Sequence, residues 1–425
     1  MVVTEHTESS VRAEMRGWLD KQWDPELSLI EWRGRLADSG WAMPHWPESC
    51  FGRGLPVGLT RVVHEELQHI DAPGIARKGA CALAAATIQA HGNEHQQRTF
   101  LRRAITGEDN WCQLFSEPGS GSDLAGATTR ADQRDGQGNG QWIVNGQKVW
   151  TTSAHLADFG LLLARTDWDV PKHQGLSYFI LDMRQPGVEV VPLRQMNGHA
   201  SFNQVFFTDA EVGPEWLLEA EGSGWRIATT TLMHERRGAN SMGRKTQPTN
   251  RPGRVFREEA EEIAEALTPY TWYPQRSGRV DLVVERAKAT GKNTDPTVRQ
   301  EIAKLLTLAT AAEWTAARAR AAQAIGRPPG PEGSIGKLAS SHIARAANRV
   351  HTLISGADAL LSGSDAPMDG LIAEILISTP AISIAGGTDE IQRNIISERV
   401  LKMPKEIRID TDRPFRDVPR NVQTK

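Results

Sequence analysis

The spacing of apolar side chains divides the 425-residue chain into three successive parts. In the first part, apolar residues recur at helical spacing, which is typical of helices that bury one face. The stretches with this pattern are Val11–Trp18, Leu27–Ala37, Thr60–His69 and Glu94–Thr106. We therefore predict an N-terminal helical domain over residues 1–110.

Short runs rich in Val, Ile, Leu and Phe begin near residue 111, and Gly, Asp and Asn separate them. Runs of this kind between turn residues are typical of β-strands. They are Gln141–Val144, Gly160–Ala164, Tyr178–Leu181, Val188–Val191 and Gln204–Phe207. We predict a central β-domain over residues 111–222.

Helical spacing returns after Gly224, in stretches that are rich in Ala, a strong helix former that suits close-packed bundles. The clearest stretches are Trp225–Arg237, Val298–Gly326, Ser334–Ile354, Leu371–Ile377 and Asp389–Val400. We predict a C-terminal helical bundle over residues 223–405. Residues 406–425 are polar and contain two prolines, so we expect a flexible tail there.

Composition indicates a globular protein and argues against several classes of binding partner. Hydrophobic residues make up 39% and charged residues 24% of the sequence, and the net charge is −3. This balance gives no electrostatic basis for binding nucleic acid or an anionic membrane, and no apolar stretch has the length of a membrane span. The three cysteines are too few and too dispersed for a disulfide framework, so we expect a reduced, cytoplasmic location.

Two histidine pairs resemble metal-binding motifs without the geometry of one. His64 and His69 are five positions apart, which separates them by roughly 140° around a helix. His91 and His95 follow the H-x-x-E-H pattern, but the Gly-Asn pair between them marks a helix boundary. We therefore predict no metal site. No G-x-G-x-x-G pattern follows a strand, which argues against a Rossmann dinucleotide site.

Three segments carry candidate chemistry. Trp111–Gly126 (WCQLFSEPGSGSDLAG) is an apolar strand that enters a turn of small residues, where a ligand can approach the backbone closely. Trp142–Ser153 (WIVNGQKVWTTS) contains Asn-Gly, a strong hairpin signal, and then a flat Trp beside two Thr hydroxyls. Ala385–Arg399 (AGGTDEIQRNIISER) places a Gly-Gly turn before a helix capped by Thr388 or Asp389. Taken singly, the first segment could be an ordinary hairpin turn and the third simply a capped helix, and for the second a core tryptophan is the more ordinary interpretation.

Together and in this order, the three segments resemble the signature of the acyl-CoA dehydrogenase family. SEPGSGSD resembles the family's (S/T)EPGAGSD, VNGQKVWTTSA resembles its NGxKxWITN(A/G), and GGTDEIQRNIISERVL resembles its EGTSEIQRxxIxRxxL. The resemblance covers about residues 40–403, with a poor match near 241–296. It implies an α+β multidomain fold with an N-terminal helical domain, a central β-domain and a C-terminal four-helix bundle. It also implies FAD as cofactor and the α,β-dehydrogenation of an acyl-CoA thioester to the trans-2-enoyl-CoA.

The resemblance further implies which residues surround the cofactor and the thioester. The residues expected to contact the flavin are Gln113, Phe115, Ser116, Gly121, Ser122, Trp150, Thr151, Thr152, Thr388 and Glu390. Ser122 also matches a position near the thioester, and Arg236 and Gly387 are further candidates for substrate contact. The backbone N–H of Gly386 matches a donor to the thioester carbonyl.

The resemblance places the catalytic base at Glu235. In many members a glutamate directly precedes the Gly-Thr of the third segment, but here that position is Gly386. Other members, including isovaleryl-type and long-chain-type enzymes, carry the glutamate in a Glu-Arg pair on a helix of the bundle. Leu232–Arg237 (LMHERR) supplies such a pair, with Arg236 beside Glu235. Without the resemblance, a surface Glu-Arg pair on a helix would be the more ordinary interpretation.

Several departures from the family pattern bear on partners. The Arg-x-x-Phe-Gly that contacts FAD across a subunit interface is replaced by VERAKATG, where Arg286 is one place out of register and the Phe is missing. The family's Gly-Gly-x-Gly loop is reduced to Ser355–Asp358, and residues 241–280 look inserted. Similar departures occur in actinobacterial members, some of which pair with a different second subunit. The expected partners are an acyl-CoA substrate, an electron-transfer flavoprotein or similar acceptor, and either further copies in a homodimer or homotetramer or a second family member in a heterotetramer.

Two alternatives to a catalytic dehydrogenase stay open. One is a non-catalytic or co-dependent subunit of a heteromeric acyl-CoA dehydrogenase, and the other is a flavin oxidase or N-hydroxylase of the same fold. The acyl group is not encoded in a motif. Because Gly386 and Gly387 leave space, our hypothesis is a branched or bulky acyl chain, such as one derived from a steroid.

Overall fold

The computed structural model of the protein describes residues 6–134, 140–241, 251–324, 330–407 and 410–419, and within these it does not describe the side chains of 236–241, 323, 324 and 332. The chain forms two compact units. Met1–Leu193, Ala200–Pro269 and Ile409–Lys425 make up the first, and Arg194–His199 with Tyr270–Arg408 make up the second.

Amphipathic helices open the first unit, as the apolar spacing predicts. They are α1 (Glu8–Gln22), α2 (Leu29–Asp38), α3 (Thr60–His69), α4 (Cys81–His91) and α5 (Glu94–Thr106). Thr7, Ser28 and Asn93 begin three of them with reciprocal capping boxes, which satisfy N–H groups that the helix itself cannot. Trp32 and Trp41 are fully buried among these helices and anchor their shared core.

The described strands form one sheet that follows the helices. They are β1 (Trp111–Leu114), β2 (Arg130–Gln133), β3 (Trp142–Thr152), β4 (Phe159–Arg165), β5 (Leu176–Asp182), β6 (Val188–Leu193) and β7 (Phe202–Val212). β4 is buried along almost its whole length and pairs antiparallel with β5. β1 runs parallel to the first half of β4. β2 meets β4 only at the last residue of β4, where Arg130 faces Arg165. Residues 115–129 therefore leave the sheet after β1 and return to it at β2, as a loop that contains the SEPGSGSD segment.

The hairpin predicted at Asn145-Gly146 is wrong. β3 continues through both residues, and its register against β7 shifts between Val144 and Gly146. Gly146 has φ 146°, and a Cβ there would lie 2.8 Å from Cα of Thr129. The glycine is therefore needed for a bulge and for the close approach of a neighbouring backbone, not for a chain reversal.

Two helices after the sheet also belong to the first unit, although we assigned their residues to the C-terminal helical part. They are α6 (Gly224–Ser241) and α7 (Arg254–Leu267). α7 lies in the segment that looked inserted, and its Glu262 accepts two hydrogen bonds, of 2.5 and 2.9 Å, from the buried guanidinium of Arg33 on α2. Phe256 packs edge-on against Trp23, with ring centroids 5.8 Å apart. The insertion thus adds a helix to the N-terminal helical layer.

Residues 410–419 do not behave as the flexible tail that we expected over 406–425. Phe415 is 2% exposed, and its backbone N–H donates to the carbonyl of Val170 at 2.9 Å. Polar composition suggested a solvated end, but one aromatic side chain and the backbone pairing beside it hold this part of the segment against the first unit.

The second unit is helical. Its helices are α8 (Tyr273–Arg276), α9 (Val280–Ala289), α10 (Pro296–Ala324), α11 (Glu332–Ser355), α12 (Leu371–Ser378) and α13 (Asp389–Ile395). Thr388 directly precedes α13, and its hydroxyl accepts a hydrogen bond of 3.3 Å from the N–H of Ile391. Of the two predicted candidates, Thr388 is therefore the N-cap.

Candidate active site

A buried ion pair anchors the loop of residues 115–129 to β3. Glu117 accepts hydrogen bonds from the backbone N–H groups of Thr128 and Thr129 at 2.7 and 2.8 Å, and its carboxylate pairs with Lys148 at 2.8 Å. Lys148 is fully buried and also donates to the carbonyl of Phe115 at 3.0 Å. One carboxylate and one ammonium group therefore fix both ends of the loop.

The charge of Glu117 is maintained by these partners. Burial alone would raise the pKa of Glu117, but the nearby Lys148 and the hydrogen bonds from residues 128 and 129 lower it to about 2. Neither Glu117 nor Lys148 was among the predicted site residues. Each of the two motif segments contains a charged residue, but the first also contains Asp123, and neither pattern indicates which charges pair.

The first two motif segments meet at a backbone hydrogen bond. The N–H of Val149 donates to the carbonyl of Ser116 at 2.8 Å, which puts Trp150 next to the start of the loop. Trp150 has φ 63° and its side chain is 56% exposed. A left-handed backbone costs a bulky residue about 1–2 kcal/mol, and such strain is often found at functional sites. The exposed indole is thus a candidate platform for a planar ligand.

The hydroxyl of Thr151 provides a test of whether a cofactor fits here. It is buried, and within the described part of the chain its Oγ1 has no hydrogen-bond partner. The backbone carbonyl of Thr151 accepts from the buried Asn203 at 3.0 Å, so the main chain at this point is fixed. A buried hydroxyl without a partner is costly, and a polar ligand atom would remove that cost. Thr152, the next predicted contact, is half-buried at the end of β3.

The top of the loop is exposed. Glu117 and Ser120 exchange two backbone hydrogen bonds, of 2.9 and 3.1 Å, around Pro118 and Gly119. Gly121 and Ser122 follow this turn and face solvent. The loop is therefore rigid at its base and open where the two predicted contact residues lie.

The predicted base lies beside a predicted flavin contact. Glu235 is half-buried on α6, and its Oε2 accepts a hydrogen bond of 3.2 Å from the amide of Gln113 on β1. Arg236 follows it in α6, but the Arg236 side chain lies outside the described residues. The amide of Gln113 therefore fixes the orientation of the Glu235 carboxylate.

Buried hydroxyl groups hold α6 one turn before Glu235. The hydroxyl of Thr231 lies 2.9 Å from that of Thr87 on α4 and 3.0 Å from that of Tyr178 on β5, and all three residues are fully buried. Burial raises the pKa of Tyr178 and the charge of Glu235 raises it further, so the phenol stays neutral and can donate. Sequence reasoning missed this cluster, because Thr and Tyr at core positions carry no motif.

His91 and His95 have structural partners. His91 bonds through Nδ1 to Glu219 at 2.7 Å and through Nε2 to Thr230 at 2.8 Å, which ties the end of α4 to α6. His95 stacks on Trp216 with centroids 5.6 Å apart. In the described ranges, no group of three His, Cys, Asp or Glu side chains is arranged to hold a metal ion.

The third motif segment lies in the second unit. Gly386 and Gly387 have φ 67° and 89°, and the amide of Gln392 donates to both of their carbonyls at 3.3 and 3.2 Å. A Cβ at Gly386 would meet no atom within 4 Å, whereas one at Gly387 would lie 2.6 Å from Gln392. Glu390 is exposed and bonds to Arg393 at 3.1 Å. The turn leaves open space at residue 386, where many family members carry a carboxylate.

Arg286 serves the interior of the second unit. It is 9% exposed and donates to Nδ1 of His351 at 3.0 Å and to Ser355 at 2.6 Å. Nε2 of His351 lies 3.0 Å from the carbonyl of Gly278 and must carry the proton, so Nδ1 is the acceptor. Burial, followed by the charge of Arg286, lowers the pKa of His351 and keeps the ring neutral. Arg286 is the arginine that lies nearest in the sequence to the family's cross-interface position. In this structure its guanidinium makes its hydrogen bonds within its own unit.

No helix in the described ranges is long and apolar enough to cross a membrane.

Comparison with known proteins finds relatives along most of the chain. Residues 3–108, 112–210 and 278–401 match the N-terminal, middle and C-terminal domains of acyl-CoA dehydrogenases, respectively. The acyl-CoA dehydrogenase IpdE1 of Mycobacterium tuberculosis (strain ATCC 25618 / H37Rv) is 33% identical over 418 residues, which cover 93% of this chain and 97% of IpdE1.

Two solved structures share the fold. The Tcur3481–Tcur3483 steroid ACAD aligns with a TM-score of 0.62 at 23% identity, over 94% of this chain and 98% of that one. The ChsE4–ChsE5 complex from Mycobacterium tuberculosis aligns with a TM-score of 0.52 at 24% identity, over 96% of this chain and 100% of that one. These matches confirm the resemblance and the fold class predicted from the sequence. By its domains and its full-length relative, this chain is an oxidoreductase of the acyl-CoA dehydrogenase family, which is a family of flavoproteins.

Proposed function

We propose that the chain dehydrogenates an acyl-CoA thioester to the trans-2-enoyl-CoA, with Glu235 as the base that removes the Cα proton. The observation that carries this proposal is the 3.2 Å hydrogen bond from Gln113 to Glu235, which joins the candidate base to the strand that leads into the SEPGSGSD loop. FAD, when bound, supplies the acceptor for the Cβ hydride at N5.

The glycine at position 386 supports a base on α6. Because Gly386 has no side chain, the carboxylate must come from elsewhere, and Glu235 is half-buried beside the fully buried Tyr178 and Thr231 cluster. The backbone N–H of Gly386 is the proposed donor to the thioester carbonyl, where negative charge develops as the proton leaves. Ser122, Arg236 and Gly387 are the proposed substrate contacts.

The first unit has features that suit an isoalloxazine ring. The strained, exposed Trp150 lies next to Ser116 and the anchored loop, and so does Thr151, whose hydroxyl has no partner among the residues that the structure describes. We assign the flavin contacts of this unit to the residues predicted from the family motifs, which are Gln113, Phe115, Ser116, Gly121, Ser122, Trp150, Thr151 and Thr152. Thr388 and Glu390 are the proposed contacts from the helical unit.

A second candidate function is that of a co-dependent subunit in a heteromeric dehydrogenase. The contacts of Arg286 support a co-dependent subunit, because this guanidinium bonds to His351 and Ser355 in its own unit. A different subunit would then supply the arginine that the family uses across its interface. Two structures that share the fold, the Tcur3481–Tcur3483 steroid ACAD and the ChsE4–ChsE5 complex, are named as pairs of chains. A steroid-derived or other bulky acyl-CoA remains the proposed substrate, and an electron-transfer flavoprotein or similar carrier the proposed acceptor.

The visible spectrum of the purified chain tests the proposal. We expect a flavin band that bleaches when one of a panel of straight, branched and polycyclic acyl-CoA esters is added without oxygen. A chain that binds added FAD but is bleached by no ester would contradict the dehydrogenase function. A chain that binds FAD only together with a second subunit would favour the co-dependent alternative.

A further inference from the structure

The segment of residues 410–419 covers a buried arginine behind the SEPGSGSD loop. Arg165 is fully buried, and its guanidinium carbon lies 3.4 Å from the ring centroid of Phe415. Backbone hydrogen bonds of 2.9 and 3.0 Å, from Phe415 to Val170 and from Arg416 to Trp168, seat the segment at this place. The aromatic ring therefore excludes water from one face of the guanidinium.

Arg165 holds the second half of the loop. Its guanidinium donates to the carbonyls of Ala125 and Ala127 at 2.6 and 2.9 Å and to the carbonyl of Lys172 at 3.1 Å. Hydrogen bonds to a charged donor are stronger in a water-free environment, because water does not compete for the donor. Shielding by Phe415 thus stabilises the backbone that follows Ser122 and Asp123.

A second contact reaches the loop directly. Lys172 is largely buried and lies between two carboxylates, Asp123 of the loop and Asp410 of the segment. The distances from its Nζ to the two oxygens of Asp123 are 2.9 and 3.1 Å. Although burial by itself would lower the pKa of Lys172, the carboxylates of Asp410 and Asp123 raise it, so the lysine remains charged. The segment is therefore linked by charge to the exposed top of the loop.

From these contacts we infer that residues 410–419 act as a strap that fixes the conformation of the loop 117–127, and through it the affinity for FAD. Phe415, Asp410 and Lys172 are positioning residues in this arrangement. Glu117 and Lys148 hold the two ends of the loop, while the strap, through Arg165 and Lys172, holds the backbone between them at Asp123, Ala125 and Ala127. The part of this inference that concerns FAD rests on the proposed function.

Hydrogen exchange of the full chain, as purified and after removal of flavin, tests the strap. In Phe415→Ala we expect amide exchange in 117–127 to rise about tenfold, the scale of a desolvated cation–π contact. We also expect FAD to dissociate about tenfold more readily, while exchange in β5 and α4 stays as in the wild type. Phe415→Tyr, which keeps the ring over the guanidinium, should restore both measurements.

Arg416→Ala is the matched control. Arg416 lies on the same segment but pairs with the exposed Asp169 instead of the loop, so exchange and FAD affinity should stay at wild-type values. If Phe415→Ala fails to fold, Asp410→Asn tests the same link through the ion pair, with the same expected direction. Unchanged exchange in 117–127, or unchanged FAD affinity in a folded strap variant, would overturn the inference. Because exchange is also measured without flavin, it tests the strap even if the wild-type chain does not bind FAD on its own, an outcome that would favour the co-dependent subunit instead of the dehydrogenase.

Discussion

The amide of Gln113 donates a hydrogen bond to the carboxylate of Glu235 across 3.2 Å. The two residues are 122 positions apart in the sequence, on β1 and α6, and only the fold brings them together. The strand that enters the proposed flavin-binding loop and the helix that carries the proposed base thus share one contact. This contact links the proposed flavin environment to the proposed base.

Replacing Gln113 by Leu should slow catalysis even in protein that is saturated with FAD, although Gln113 is also a proposed flavin contact. The change keeps a similar volume but deletes the donor to Glu235, and a hydrogen bond to a charged group contributes about 1.5–3 kcal/mol. We expect kcat to fall roughly ten- to hundredfold, with KM changed much less. Steady-state kinetics with flavin content measured on the same sample checks this. An unchanged kcat in Gln113→Leu protein that is saturated with FAD would show that the hydrogen bond does not position the base.

Replacing Thr231 by Val should destabilise the protein. The substitution conserves shape but leaves the buried hydroxyls of Thr87 and Tyr178 without a shared partner, which typically costs about 1–3 kcal/mol. The measurement is urea unfolding followed by circular dichroism. Thr229→Val is the control, because Thr229 is exposed on the same helix and its loss should change the unfolding free energy by less than about 0.5 kcal/mol. Equal effects of the two substitutions would argue against the buried hydroxyl cluster.

The Glu117 and Lys148 ion pair predicts a specific loss of stability in acid. The pKa of Glu117 is about 2 in the folded chain and about 4.5 in the unfolded chain, so the carboxylate stabilises the fold above pH 4.5. That contribution, on the order of 3 kcal/mol, is lost as the pH falls from about 4.5 to 2.

Glu117→Gln removes this contribution and leaves the buried Lys148 without its counter-charge. We expect about 3–5 kcal/mol lower stability at neutral pH, and a weaker dependence of stability on pH between about 5 and 2. Urea unfolding across this pH range measures both quantities. The double variant Glu117→Gln/Lys148→Met should recover part of the loss at neutral pH. A single variant with the wild-type pH dependence would refute the assignment of the acid transition to Glu117.

Much of the fold could be predicted from local patterns. The helical stretches predicted before residue 110 and after Gly224, and the N-cap at Thr388, depend on short-range rules, and in the described residues they agree with the structure. The prediction of a hairpin at Asn145-Gly146 was wrong because a glycine suits a bulge as well as a turn. The bulge depends on Thr129, which packs against Gly146 and is distant in the sequence pattern. The packing of α7 on the N-terminal helices was not visible in the sequence either, because it depends on Arg33, which lies more than 200 positions earlier.

The candidate site was predicted through its motifs, and the contacts that support it were not. Trp150 and Gln113 belong to recognisable segments, whereas Thr87, Thr231 and Tyr178 are ordinary core residues in sequence. The pairing of Glu117 with Lys148, and of Phe415 with Arg165, joins residues that only the folded chain brings into contact. Long-range pairing of this kind leaves no periodicity in the sequence.

The rate of flavin reduction in Glu235→Gln tests the proposed base most directly. The variant keeps the size of the side chain and the hydrogen bond to Gln113 in amide form, but it removes the proton acceptor. With the acyl-CoA ester that bleaches the wild type, anaerobic stopped-flow reduction should be more than about a thousandfold slower, while FAD stays bound. Glu265→Gln, on the exposed face of α7, should reduce at the wild-type rate. Reduction of flavin-replete Glu235→Gln within about tenfold of the wild type, a smaller loss than removal of a positioned base produces, would contradict the assignment of Glu235.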